Sequence, residues 1–358
     1  MELFSKIVGQ ELAKKILSQL FLEKHYPPLL FIGPTGVGKR TTALNFAQVI
    51  NCPDSSDVEK NECVRCQQIK NLSCFDVKLY FPVPQRRSSP ENDSPDDALT
   101  FITENLMSYR LGETRPTLSK TNYHPLSVIH HIKNEMAYRP VVCRYKVVII
   151  LDVHKIRQES ANALLKILEE PQKDTVFILT ADRVTQVLPT IRSRCQLIFF
   201  RKLIPSEIKN YLIDQKNINE NQAELASKFA NGRIRNALIF LSEPQKLLPN
   251  EEFIDLLDRA KTSSDKFVMA IANNEVLCND LAIETMLSSA LFLYRQALFY
   301  KLNIPITYRH SFIEKISKKL GYSELLVRID NILNLINEID LNLNRKLIIF
   351  HLSTKLRV

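Results

Sequence analysis

The residues best suited to chemistry lie in Gly33-Pro34-Thr35-Gly36-Val37-Gly38-Lys39-Arg40-Thr41. Glycines at this spacing let backbone N–H groups turn inward onto phosphate oxygens, at the positive end of a following helix. A lysine in the place of Lys39 sets a point charge on the β- and γ-phosphates. The apolar run Leu29 to Ile32 and the helical pattern Thr41 to Ile50 supply the strand and helix such a loop requires. Gly33, Thr35, Gly36, Val37, Gly38, Lys39, Arg40 and Thr41 are therefore the candidate nucleotide-binding residues. One position departs from the pattern: Arg40 stands where a hydroxyl normally holds Mg²⁺. Thr41 is no substitute, because one step along a helix turns the side chain by roughly 100°. The loop is expected to bind ATP or ADP, to hold Mg²⁺ poorly and to hydrolyse little.

A second chemical cluster follows. Cys52, Cys63, Cys66 and Cys74 are four of the seven cysteines, set in a polar stretch with Asp54, Asp57, Glu59 and Glu62. A CxxC turn puts two thiolates on one edge of a tetrahedron, and two further sulfurs can close the other edge. A structural Zn²⁺ on these four residues is expected, with no open position for catalysis. The alternative is four small buried thiols. His124 and the pair His130-His131 have no Cys or Glu at metal spacing and are expected at the surface.

These groups need a scaffold, and the bulk composition bounds it. A chain of 358 residues with 45% hydrophobic content is long enough for two or three domains. The net charge of +9 permits a nucleic-acid partner without requiring one. Met1 to Lys6 lacks a secretory signal, and no apolar run reaches the ~18 residues of a membrane span, so a cytoplasmic protein is expected. Leu12, Ile16, Leu17 and Leu20 share one face of a first helix. Val77 to Phe81 reads as a short strand, and the Pro- and Ser-rich composition from about 82 to 123 reads as an insertion, with Ser94 and Pro95 opening a helix inside it. Val147 to Leu151 is a continuous apolar run, as in a parallel strand buried on both faces, and Asp152 follows at its C-terminal end. Ser160 to Glu170 is a helix stopped by Pro171, Thr175 to Thr180 another buried strand, and Leu197 to Phe200 the last. Pro244 and Pro249 mark a boundary, after which Ile283, Met286, Leu287, Ala290, Leu291 and Tyr294 recur at helical spacing. Arg309, Lys315, Lys318, Lys319, Arg345 and Lys346 punctuate this tail without the interleaved aromatics of a single-strand platform.

Taken together, Val8-Gly9-Gln10, the glycine loop, the cysteine cluster, the run Tyr145 to Leu179 and the segment Leu188 to Gln196 with its Ser193-Arg194-Cys195 resemble the clamp-loader branch of the AAA+ ATPases. Within that branch the order is most similar to the delta-prime type of subunit of bacterial DNA polymerase III, over residues 1 to about 243. The resemblance implies an α/β fold: an AAA+ P-loop parallel sheet over 1–203, a helical lid over 204–243 and an all-α collar over 244–358 that assembles a ring. It implies gamma/tau-type and delta-type subunits, a sliding clamp and primer-template DNA as partners, and no membrane. It adds Val8 and, through a GxxR arrangement, Arg235 to the nucleotide site. An ordinary solvated arginine is the other reading of Arg235. It makes Arg194 a finger acting in trans on a neighbour's nucleotide, against a plain ion pair with a carboxylate. Aligned without gaps, Leu151 falls where the family has its Mg²⁺ aspartate and Asp152 where it has the water-orienting acid; a one-residue slip would make Asp152 the ligand. The family's third CxxC cysteine is Ile69 here and Cys74 lies further on, which leaves the identity of the fourth ligand open. Little or no intrinsic ATPase is expected. A working gamma/tau-type motor, or a zinc-containing nucleotide-binding protein outside replication, are the competing functions.

Overall fold

The computed structural model describes residues 4–53, 63–84, 95–109, 122–242, 280–306, 308 and 311–339. Ser94, the Pro244–Pro249 boundary, Arg309, Arg345 and Lys346 lie outside the described residues. The chain divides into two compact units, Met1–Tyr211 with Gly232–Arg235, and Leu212–Asn231 with Asn236–Val358.

The first unit is built on five parallel strands: β1 (Leu29–Ile32), β2 (Val77–Tyr80), β3 (Lys146–Ile150), β4 (Thr175–Ala181) and β5 (Gln196–Phe199). Their order across the sheet is β2-β3-β4-β1-β5. Every residue of β1, β3 and β4 is buried, as expected for strands covered on both faces. Register is set by pairs such as Leu29↔Ile178, Leu29↔Gln196 and Val77↔Val147. The parallel P-loop sheet of AAA+ type expected from the sequence is thus present.

Helices α1 (Glu11–Glu23), α2 (Lys39–Asn51), α3 (Val64–Lys70), α4 (Pro95–Asn105), α5 (Leu126–Met136), α6 (Gln158–Glu169) and α7 (Pro189–Arg192) belong to the same unit. In α6 the buried face is Ala161, Leu164, Ile167 and Leu168, and the chain leaves the helix at Glu170, the residue before Pro171. In α1 the buried residues are Ala13, Leu17 and Leu20. Leu12 is 61% exposed, which corrects its assignment to the apolar face: Ala13, one step further round, takes that position. Later helices are α8 (Pro205–Lys216), α9 (Glu220–Phe229) and α10 (Ile234–Ser242). The second unit also holds α11 (Asp280–Lys301), α12 (Ser311–Lys319) and α13 (Tyr322–Ile339), packed through Leu287, Leu291, Tyr294, Ile313, Ile316, Leu325 and Ile332. Among the described residues no helix is long and apolar enough to cross a membrane.

His124 is a second correction. Expected at the surface, it is fully buried where the chain returns from the insertion to the sheet. Its backbone N–H donates to Lys155 O (3.2 Å) and its Nε2–H to Leu151 O (2.7 Å), which ties the return segment to the end of β3. His130 is exposed as expected, and His131 is half-buried against the Tyr80 ring. Burial lowers the His124 imidazole to about 4 from an ordinary 6.5. The unfolded chain therefore takes up this proton below about pH 6.5, while the folded chain resists it until about pH 4. The stability that this group contributes is present above about pH 6.5 and is lost as the pH falls toward 4, by up to about 3 kcal/mol. Urea unfolding across that window is expected to give a shallower fall in stability for His124→Gln than for the unaltered chain. Equal slopes would assign the acid sensitivity to other groups.

Candidate nucleotide site and cysteine cluster

The loop between β1 and α2 needs glycine at two places for different reasons. A Cβ on Gly33 would lie 2.2 Å from Phe200 O, where the chain leaving β5 crosses the loop. Gly38 has open space around it but stands at φ 106°, a conformation that caps α2 and that side chains disfavour. Lys39 is buried at 7% exposure and its ammonium is fully engaged by the loop and its neighbour strand. It donates to Pro34 O (3.1 Å) and to Gly33 O, and pairs with Asp182 Oδ1 at 3.0 Å. Thr35 Oγ1 donates to the same carboxylate, 2.9 Å to Oδ1 and 3.0 Å to Oδ2. Burial pushes the Asp182 carboxyl up, but the Lys39 charge prevails and holds it below its ordinary value. Asp182 was not singled out in the sequence. It is the first residue after β4, and only the pairing of β4 with β1 brings it to the loop.

The glycine cradle, the N-terminus of α2 and Lys39 fit a polyphosphate. The donor set at the metal end does not fit Mg²⁺. Arg40 carries no acceptor, and its guanidinium carbon lies 5.9 Å from the ring centroid of Tyr109, in the helical turn after α4. Thr41 is partly buried, one step round the helix from Arg40, and Thr42 donates its hydroxyl back to Gly38 O (3.0 Å). Leu151 is 1% exposed, with its N–H continuing the ladder to Tyr80 O (2.8 Å). Asp152 is the next residue, buried and left-handed at φ 53°, and its N–H donates to Thr180 Oγ1 (3.0 Å). His154 feels the charges of both Asp152 and Asp182, although burial dominates and lowers its pKa.

Two further groups frame the loop. Gln10, buried beside half-buried Val8, donates from Nε2 to Arg201 O (2.8 Å) and Val37 O (3.4 Å), and accepts from Arg201 N (3.0 Å). Its amide thus ties the entry segment to the loop and to the exit of β5. Arg235 donates its backbone N–H to Gly36 O (3.3 Å), and its Cβ is 3.0 Å from where a Gly36 Cβ would stand. Arg233, overlooked in the sequence, is buried near the same glycine.

The cysteines separate into two groups. Cys52 ends α2, and Cys63 caps α3 by accepting from Cys66 N (3.2 Å). The sulfurs of Cys52, Cys63 and Cys66 lie within 4.8 Å of one another. Burial raises the Cys66 thiol; burial also acts to raise Cys63, but hydrogen bonds led by the Cys66 backbone outweigh it and lower that thiol. Cys74, expected to close the tetrahedron, stands outside this trio, with its Sγ 3.4 Å from Cys143 Sγ. The hydrogen bond with Cys143 lowers the Cys74 thiol to about 7, against the effect of burial.

Arg194 is exposed on the turn between α7 and β5. Its Nε donates to Glu169 Oε1 (2.6 Å), a second guanidinium nitrogen pairs with the same oxygen, and a third donates to Thr190 O (3.0 Å) and Ser193 Oγ (3.3 Å). In the isolated chain Arg194 is thus paired with a carboxylate from the end of α6. Burial pushes the neighbouring Cys195 thiol up to about 12.

Sheet order, glycine loop and Lys39 define a P-loop protein of the AAA+ class. Residues 9–204 match the family model described as "DNA polymerase III, delta subunit", and the chain belongs to that family. Bacillus subtilis DNA polymerase III subunit tau is 30% identical over 67% of this chain and 37% of its own length. DNA polymerase III subunit gamma of Buchnera aphidicola subsp. Schizaphis graminum is 31% identical over 69% of this chain and 60% of its own. The matched region thus spans less than two thirds of each of these relatives. A crystal structure of a DNA polymerase III gamma subunit-related protein from Thermotoga maritima covers 95% of this chain and 98% of its own, at 19% identity and a TM-score of 0.40.

A phosphate held by the loop would meet Asp182 as a competitor for Lys39 and Thr35 and as a like charge. Asp182→Asn is expected to tighten binding of Mg²⁺-free ADP by roughly tenfold, about 1.4 kcal/mol, in calorimetric titration. Weaker binding by the variant would make the carboxylate a support of the loop and not a competitor.

Proposed function

We propose that this chain is a clamp-loader subunit of DNA polymerase III, of the delta-prime type, that serves the ATPase sites of its neighbours. The observation that carries this reading is a contrast within one domain. The phosphate-binding lysine is kept, both Mg²⁺ positions hold Arg40 and Leu151, and Arg194 stands exposed on the surface. A permanently charged planar fork suits the spread charge of a phosphoryl group in transfer, and such fingers are worth roughly 10³–10⁵ in rate in other systems. The partners in this reading are gamma/tau-type and delta-type subunits, a sliding clamp and primer-template DNA, in the cytoplasm. Arg235, Arg233 and Val8 frame the nucleotide, and the unit containing α11 to α13 joins the ring. A second reading, a gamma/tau-type motor, is favoured by the identity of the curated relatives, which are gamma and tau subunits.

The two readings part in a reconstituted complex. Alone, the chain is expected to show no turnover above contaminant level. In the assembled ring, Arg194→Ala is expected to lower ATP hydrolysis and clamp loading at least tenfold or so, and Arg194→Lys to restore little, since the fork is lost. Glu169→Gln, which removes only the intramolecular partner, is expected to retain activity. Unaltered loading by an assembled Arg194→Ala ring would reduce this subunit to a brace. Turnover by the isolated chain on the order of 1 s⁻¹ would establish the motor.

The trio Cys52, Cys63 and Cys66 supports a structural zinc with its fourth ligand unassigned. Elemental analysis is expected to find one zinc per chain, lost in Cys63→Ser and kept in Cys74→Ser. A metal-free protein purified without chelator would remove the site.

A further inference from the structure

Cys74 and Cys143 are 69 positions apart in sequence, yet their sulfurs are in contact at 3.4 Å. The fold makes this contact by design of its backbone. Asp76, two residues after Cys74, is buried, and its carboxylate accepts from Val141 N (3.0 Å), Val142 N (2.6 Å) and Cys143 N (2.7 Å). The Asp76 carbonyl accepts from Val147 N (2.7 Å), which begins the β2–β3 ladder. One residue thus fixes both the register of the two strands and the loop that carries Cys143 over Cys74. Neither cysteine belongs to the sulfur trio.

We propose that Cys74 and Cys143 form a modification site, a dithiol that a peroxide converts reversibly to a disulfide. Cys143 is partly exposed and Cys74 buried, so a small oxidant reaches the pair while the second sulfur waits beside the first. One sulfur takes an oxygen from the peroxide as the O–O bond breaks, giving a sulfenic acid and one water (for hydrogen peroxide). The other sulfur then attacks it, the S–O bond breaks and a second water leaves. Two thiols lose two electrons in total, and the peroxide gains them. Closure from contact to a bond of about 2.05 Å brings the sulfurs together by on the order of 1 Å. The bridge would staple the starts of β2 and β3, at the end of the sheet away from the glycine loop, and would enclose the 82–123 insertion in a covalent ring.

The test uses the full chain with its metal. After brief hydrogen peroxide treatment and alkylation under denaturing conditions, peptide mass spectrometry is expected to find the Cys74 and Cys143 peptides linked and two hydrogens lighter than their sum. Dithiothreitol is expected to restore both alkylated thiols, and ADP binding is expected to be unchanged by the bridge. Cys143→Ser is expected to carry Cys74 onward to higher oxides, and Cys74→Ala serves as the second control. Separate alkylation of both residues after peroxide has oxidised other thiols would overturn the proposal. So would a bridge from either residue to the trio. Protection of both from alkylation by zinc, released by a chelator, would equally overturn it, by making them metal ligands.

Discussion

A buried ammonium governs this structure. Lys39 sits at 7% exposure, and a charge so placed is tolerable only if its donors are all met. Two carbonyls come from its own loop, but the compensating charge comes from Asp182, just beyond the end of another strand. That partnership demands that β4 lie against β1 in the observed register, with Ile32 paired to Ala181 and Asp182 one step beyond. The strand order places the three chemically eventful strand ends, those of β1, β3 and β4, on one side of the sheet. Asp182 is partly exposed, so solvent screens the pair and its net worth is modest, roughly 1 kcal/mol. The pair positions groups far more than it stabilises them.

The same side of the sheet carries two side chains that offer no oxygen to a metal ion. Arg40 and Leu151 are a cation facing an aromatic ring and a core side chain completing a ladder; each has a structural occupation. Leu151 continues the β2–β3 pairing, so an aspartate at that position would be turned into the core. Asp152 is the first carboxylate to emerge, and it does so in a left-handed turn fixed by Thr180 and flanked by His124 and His154. The loop is therefore a polar site whose donors suit phosphate.

How much of this was legible in the sequence follows from the range of each interaction. The glycine loop, β1, β3, β4 and α6 are local patterns, and continuous apolar runs or helical spacing gave them within a residue or two. Asp182, Arg233 and Cys143 were missed because their meaning lies in strand order, which no local pattern encodes. His124 was misjudged for the same reason: a polar residue at the end of an insertion reads as solvent-facing until the carbonyl of Leu151 is known to be waiting for it. Cys74 was assigned to the nearest cysteines along the chain, whereas its neighbour in space arrives from beyond the insertion through the backbone groups that Asp76 gathers. Leu12 missed by one residue, an error of helical phase.

The arginines of the first unit differ in how firmly their own chain holds them. Arg233 is buried, so withdrawing it would expose core and leave its partners unmet. Arg40 is committed to the region of Tyr109. Arg194 is held only at the surface, by Glu169, a carboxylate that is itself about half exposed. An exposed pair of this kind is worth about 0–1 kcal/mol, well under the strength of a guanidinium on a partly desolvated triphosphate. Under the proposed function, release would therefore cost little, with the fork carried on the short turn between α7 and β5. Glu169 in that case is a resting place for the charge.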